Sequence, residues 1–337
     1  MFKKIHVGAL ALAGAAVLSA TPLCAQEITV TAWGGAYTKS QEEAYYKPFT
    51  AKTGTKVLIQ DYNGDLAEIA AQVKTGNVKW DVVDVELAEA IKGCEEGLFE
   101  KIDASKLPAS DTGTPAAKDF GAGLITPCAV ATIFYANVVA YDKAKLGAKG
   151  PKSLNDYFDL AKFPGKRGMR KNPSVNLEWA LMADGVAPAD VYKVLATPAG
   201  VDRAFKKLDT LGDNLVFWDT GAQSQTMMEN NEVDMLLAWN GRAYNAAVNG
   251  SKFVPAWDQN IVVYDVFMIP VGAPNKDLAM KFIAAAVSPE AQGILQSTIP
   301  YGAINTQAPA STGDAVFQTF LPTAHIAEGM VQDQTWW

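Results

Sequence analysis

Strand-like and helix-like segments alternate along this chain, and that alternation limits the possible folds more than any other feature. Glu27-Ile-Thr-Val-Thr-Ala-Trp33 alternates as a half-buried strand does. Gly34-Gly35 makes a turn. Thr38 to Thr53 then reads as a helix, capped by Thr38 or Ser40, with Glu42 and Glu43 in its first turn. Gly54 to Asp61 is a second strand, Asp65 to Thr75 a second helix with Leu66, Ile69, Ala70 and Val73 on one face, and Trp80 to Glu86 a third strand. This order predicts an α/β fold with a mainly parallel sheet.

Leu124 to Tyr141 is a long apolar stretch rich in Ala, Val and Thr, expected to cross between two halves. Beyond it, Ser153 to Asp156 caps a helix, and Ser174 to Asp184 and Val201 to Leu211 read as helices. Leu215 to Trp218 and Val233 to Trp239 read as strands flanking a helix over Gln223 to Asn231. Phe253 to Ala256 and Ile261 to Pro270 read as two strands leading back, followed by helices over Lys276 to Val287 and Pro289 to Ser297. The chain leaves one α/β half, builds another and returns. Open α/β sheets bind ligands on loops at the strand ends.

Two stretches look like the lining of a polar pocket. Leu237-Ala-Trp-Asn-Gly-Arg-Ala-Tyr244 and Ile261-Val-Val-Tyr-Asp-Val-Phe-Met-Ile-Pro270 each set an aromatic and a charge within an apolar run. Arg242 offers a rigid fork suited to a carboxylate. Asp265, if buried, needs a cation, which is either Arg242 itself or a ligand ammonium. Trp33, Tyr37 and Trp239 suit methylenes or an ammonium face, and the glycines beside Trp33 and Trp239 let backbone approach a ligand. Trp179 and Trp218 read as core, and Trp257 stays open.

The N-terminus reads as an export signal: a basic Met1-Phe-Lys-Lys-Ile, an apolar Val7 to Leu18, and small residues before a cut after Ala25. The apolar run is shorter than the ~20 residues a membrane span needs. Loss of residues 1–25 leaves 27 basic and 36 acidic side chains, a net charge of −9. That balance disfavours nucleic acid and anionic membrane surfaces as partners. Cys94 and Cys128 then remain as an even pair in an oxidising compartment, predicting a disulfide worth about 3–4 kcal/mol in the chain-entropy model. Only His325 would remain to serve a Ser-His-Asp, Cys-His or zinc centre, which argues against an enzyme, a metal site and a cofactor.

The chain resembles the periplasmic solute-binding proteins of bacterial ABC importers, in the spermidine/putrescine-binding branch. The resemblance rests on Ala32-Trp-Gly-Gly-Ala-Tyr37, Lys47 to Val57, Trp80-Asp-Val-Val, Gly97 to Asp103, Leu237-Ala-Trp-Asn-Gly, Asp265 before Met268-Ile-Pro270, and Ile299-Pro-Tyr-Gly302, in this order and spacing. It implies a two-lobed type II periplasmic-binding-protein fold with the ligand cleft between the lobes. Residues 26–134 plus 265–337 would form lobe 1 and residues 135–264 lobe 2. It implies a monomer without a cofactor that captures a small aminated solute and hands it to an inner-membrane permease. Trp239 matches a tryptophan that packs on the ligand, Asp265 the aspartate that pairs with an ammonium, Tyr301 a cleft tyrosine and Trp33 an aromatic of the opening loop. Tyr37 takes the role of the next aromatic, in a longer loop.

Departures from that branch bear on the ligand. The polyamine binders place two carboxylates after the strand matching Gly168–Lys171, where this chain has Asn172 and Val175. Glu86 stands where a small hydroxyl residue is common, and Arg242 follows the Trp-Asn-Gly. A polyamine needs acids at both ends and no arginine between them. Arg242 with Asp265 suits a zwitterion such as γ-aminobutyrate, a ligand class some family members take. Polyamines such as putrescine and spermidine stay as the other reading, with Glu86 as the second acid. Tyr45-Tyr46 is similar to the tyrosine pairs of ferric-ion binders but falls inside the first helix. Two other roles remain open: a sensor subunit for a membrane receptor, and an exported lyase or transferase using Glu86 and Asp84.

Overall fold

A computed structural model of the protein describes residues 26–108, 113–121 and 123–337. The expected export signal over residues 1–25 lies outside them. The strands are β1 (Glu27–Ala32), β2 (Lys56–Asp61), β3 (Val82–Glu86), β4 (Val130–Asp142), β5 (Arg167–Arg170), β6 (Leu215–Trp218), β7 (Met235–Trp239), β8 (Phe253–Met268), β9 (Gly302–Ala303) and β10 (Met330–Val331). They form one sheet in the order β2-β1-β3-β8-β4-β7-β5-β6, with β10 on β8 and β9 on β4.

The flanks of the sheet are parallel, as the strand–helix alternation predicts: β2, β1 and β3 on one side, β7, β5 and β6 on the other. The centre is not. β4 pairs antiparallel with β7, β8 and β9, and β3 pairs antiparallel with β8, so the sheet is mixed. Two long strands cause this. The first part of β4 lies beside β9 and its second part beside β7. Its ladder with β8 runs from Val130↔Phe267 to Asp142↔Phe253, interrupted by two irregularities.

The two returning strands expected over 253–256 and 261–270 are in fact one 16-residue strand. Asp258-Gln-Asn260 looks like a turn, but the strand passes through it with Gln259 at φ 56°. Asn260 holds the irregularity by donating its side-chain amide to the carbonyls of Trp257 and His325.

The first helix starts earlier than expected. It is continuous from Gly35 to Thr53 and carries a π-helical segment over Glu42–Tyr46. Neither Thr38 nor Ser40 caps it. Thr38 Oγ1 donates to Asp61 and Ser40 Oγ to the Tyr37 carbonyl, while Gly34, at φ 70°, occupies the cap position. Helix Leu66–Thr75 begins as predicted, with Asp65 accepting from the Ala67 amide. Helix Leu87–Glu95 is tied to the start of β4 by the predicted Cys94–Cys128 disulfide, whose Cα atoms are 5.9 Å apart. No helix among the described residues is long and apolar enough to cross a membrane.

Trp179 and Trp218 are fully buried, as expected of core residues. Trp257 stacks on His325 at 4.3 Å, away from the strand ends.

Candidate functional site: a charged aromatic cavity between the two halves

Asp265 sits on β8 directly opposite Glu86 of β3. Residues paired across antiparallel strands share a face, as do residues two apart in one strand. Asp84, Glu86 and Asp265 therefore line one face of the sheet. All three are buried. Burial pushes the Asp84 and Asp265 carboxyls up, and for Asp265 the neighbouring Asp84 and Glu86 charges add to the rise, against Arg170 and Arg242. Asp84 is held by Tyr37 Oη at 2.9 Å and Gln41 Nε2 at 2.6 Å. Asp265 Oδ1 has no partner.

Arg242 comes from the other half, in the first turn of helix Asn240–Val248 that follows β7. The Trp-Asn-Gly-Arg run has a local reason. Asn240 accepts the Ala136 amide at 3.0 Å and donates to the carbonyls of Pro300 and Phe320, fastening the end of β7 to β4 and to the loop carrying Tyr301. Gly241 leaves room for that ring, because a Cβ there would lie 2.5 Å from it. Arg242 Nη2 donates to the Gly34 carbonyl at 2.8 Å, a contact between the two halves. Its Nε and Nη1 have no partner although the residue is fully buried. No ion pair joins Arg242 to Asp265 among the described residues.

Trp33, Tyr37, Tyr135, Trp239, Arg242, Asp265 and Tyr301 surround a cavity with an empty volume of about 220 Å³. The rings brace one another: Trp33 and Trp239 meet edge-on at 5.7 Å, and Tyr37 and Tyr301 at 5.5 Å. Trp218 backs Trp239 at 5.2 Å.

Six of the seven residues expected at the site thus meet around one cavity. Glu86 stands apart. Its Oε1 accepts from Tyr135 Oη and from Arg170 Nη1, both at 2.8 Å, and it does not line the cavity. Tyr135 and Arg170 are the residues of this region that sequence reading misses, and Asp84 enters it only as the partner of Glu86 in an enzyme. Tyr135 lies in the stretch expected to cross between the halves, where it interrupts an apolar run. Arg170 lies two positions before Asn172, on the strand inspected only for acids. Asp84 shares the period-two face of Glu86. Tyr45 and Tyr46 are both buried in the π-helical segment: Tyr45 packs edge-on against Phe267 and Tyr46 Oη donates to Gln41.

A two-lobed α/β chain with a cavity that has opposite charges on its walls and aromatic sides defines a solute receptor. Residues 44–319 match the bacterial extracellular solute-binding protein family, and the chain belongs to it. Its relatives are binding proteins, so this chain is a binding protein rather than an enzyme. The chain is 42% identical over 329 residues to the γ-aminobutyric acid-binding protein of Pseudomonas aeruginosa, covering 96% of this chain and 91% of that one. Among solved structures, the Atu4243 γ-aminobutyrate receptor is 34% identical, with a TM-score of 0.78 and 93% of each chain covered. MotA of Agrobacterium tumefaciens B6, solved with glucopine, is 28% identical with a TM-score of 0.85, covering 93% of this chain and 95% of that chain.

Proposed function

We propose that this protein captures a zwitterionic ω-amino acid of the γ-aminobutyrate type between its lobes and delivers it, in the periplasm, to the permease of an ABC importer. One observation carries the reading: Asp265 and Arg242 both line the cavity, and Asp265 Oδ1 and Arg242 Nε and Nη1 have no hydrogen-bond partner in the protein. Buried polar atoms left without partners are rare in a folded protein. Atoms of opposite sign on one cavity suit a ligand with an ammonium at one end and a carboxylate at the other. The guanidinium fork takes the carboxylate, Asp265 takes the ammonium, and the aromatic rings pack on the methylenes. The relatives named for γ-aminobutyrate are 42% and 34% identical to this chain, against 25% for those named for spermidine and putrescine.

A polyamine suits the site less well. Arg242 would face its second ammonium, and Glu86 is already neutralised by Arg170. The export signal over residues 1–25 supports delivery in the periplasm. Residues 26–134 with 265–337 form the first lobe in this reading and 135–264 the second, in keeping with the change of partners along β4. Contacts between the lobes, such as Arg242 to the Gly34 carbonyl, would favour the closed form once the ligand joins them.

Titration calorimetry of γ-aminobutyrate, putrescine and glutamate into the mature protein tests this. γ-Aminobutyrate is expected to bind and the other two to fail. Tight putrescine binding that survives Arg242→Ala would overturn the assignment.

A further inference from the structure

Glu86 has no place for a ligand because the chain supplies its own cation. Arg170 reaches in from the end of β5. Its Nη1 donates to Glu86 Oε1 at 2.8 Å, and its guanidinium carbon lies 5.5 Å from the ring centre of Trp33 and 5.2 Å from that of Trp239. Tyr135 Oη gives the same carboxylate oxygen a second hydrogen bond. A carboxylate, a hydroxyl and two indole faces around one positive charge are the components of an ammonium site. Here the occupant is a side chain. Trp33, Trp239 and Tyr135 also wall the neighbouring cavity, so the filled place and the open one share a partition. Glu86 and Asp265 are opposed across β3 and β8, on one face with Cβ atoms about 4.5–5.5 Å apart.

We propose that Arg170 is a specificity determinant: it fills a second cation subsite, made by Glu86, Tyr135, Trp33 and Trp239, that would otherwise receive the far ammonium of an α,ω-diamine. The inference rests on reading the open cavity as a zwitterion site. With Arg170 present, a diamine finds one carboxylate on the cavity wall, Asp265, and its other ammonium is left among arginines. Exclusion by an unmatched charge separates ligands that attraction alone would not. Without Arg170, Glu86 lies bare beside Asp265, and two carboxylates recruit two ammonium groups.

The test titrates γ-aminobutyrate and putrescine into the wild type, Arg170→Ala and the double variant Arg170→Ala/Glu86→Gln. Putrescine is expected to tighten at least ~tenfold on Arg170→Ala, a change of about 1.4 kcal/mol. That gain is expected to vanish in the double variant. Unchanged putrescine affinity in Arg170→Ala, or a gain that persists without the Glu86 carboxylate, overturns the inference. Failure of the zwitterion reading shows elsewhere, as a wild type that ignores γ-aminobutyrate. If Arg170→Ala does not fold alone, it is refolded with ethylguanidinium or putrescine. Recovery with either supports an emptied cation subsite; no recovery with either, while the double variant folds, overturns it.

Discussion

Arg167 and Arg242 are both fully buried, yet they do opposite things. Arg167, at the start of β5, turns its guanidinium back on its own corner of the fold. Its Nε donates to the Tyr157 carbonyl at 2.6 Å, Nη1 to the Gly165 carbonyl at 3.2 Å and Nη2 to the Phe163 carbonyl. Every nitrogen is used, and the loop from Tyr157 to Gly165 is gathered around it. Arg242, which lines the cavity, spends only Nη2 on backbone and leaves two nitrogens without partners. The aspartates repeat the contrast. Asp81 accepts from the Thr29 and Asn275 amides and from the Asn275 side chain, whereas Asp265 keeps an oxygen unpaired. Burial alone therefore says little about function. Among these four residues, the two that line the cavity are the two whose hydrogen bonds the protein leaves incomplete.

Removing each arginine gives the largest expected effects, in different observables. Arg242→Ala should weaken γ-aminobutyrate at least ~100-fold, within the roughly 2–5 kcal/mol cost of truncating one partner of a buried charged contact. The melting temperature of the ligand-free protein should hold or rise, since the deleted group was incompletely bonded. Arg167→Ala strips three carbonyls of their donors and should cost about 2–4 kcal/mol of stability by denaturant unfolding, while the folded fraction keeps its affinity. Equal stability losses in the two variants would erase the distinction.

A smaller effect tests how Arg242 is aimed. A Cβ at Gly221 would lie 2.6 Å from Arg242 Nε and 2.6 Å from the Trp239 ring. Gly221→Ala should therefore push both groups toward the cavity and lower affinity ~10-fold. The cost in stability should stay under about 2 kcal/mol, as for other overpacked sites.

The smallest effect is with pH. The Asp84 and Asp265 carboxyls lie above their ordinary value of 3.8 in the empty protein. The folded state thus holds protons that the unfolded chain releases, so their contribution to stability is greatest below about pH 3.8 and declines as pH rises through the raised values. A ligand ammonium needs Asp265 ionised. The ligand-induced rise in melting temperature should accordingly grow as pH rises above the ordinary carboxylate value of 3.8, and Asp265→Asn should abolish that growth. A ligand response that is flat with pH in the wild type would exclude Asp265 as the ammonium partner.

How far the site could be read beforehand follows the same division. Trp33, Tyr37, Trp239, Arg242, Asp265 and Tyr301 stand beside glycines or break apolar runs, and the structure brings them around one cavity. The residues that escaped are those whose role depends on a partner distant in sequence. Arg170 and Glu86 are 84 residues apart, and nothing local announces that one neutralises the other. The same holds for the sheet. Its parallel flanks were legible because strand and helix alternate, whereas the antiparallel centre depends on β4 and β8 finding each other across more than a hundred residues. Thr38 and Ser40 have the chemistry of helix caps, but Asp61 and the Tyr37 carbonyl claim their hydroxyls first.

The position of β8 also sets an order of assembly. β5, β6 and β7 all leave the ribosome between β4 and β8, so the half they build has its strands in one unbroken stretch of chain. β1, β2 and β3 are made first, yet β3 must wait for Val266, Phe267 and Met268 before its exposed edge is covered. Pairings between segments so distant in sequence form slowly, and an uncovered strand edge invites association with other chains. The half that is synthesised first is the last to be completed, and that interval is when this protein most needs to be kept apart from its copies.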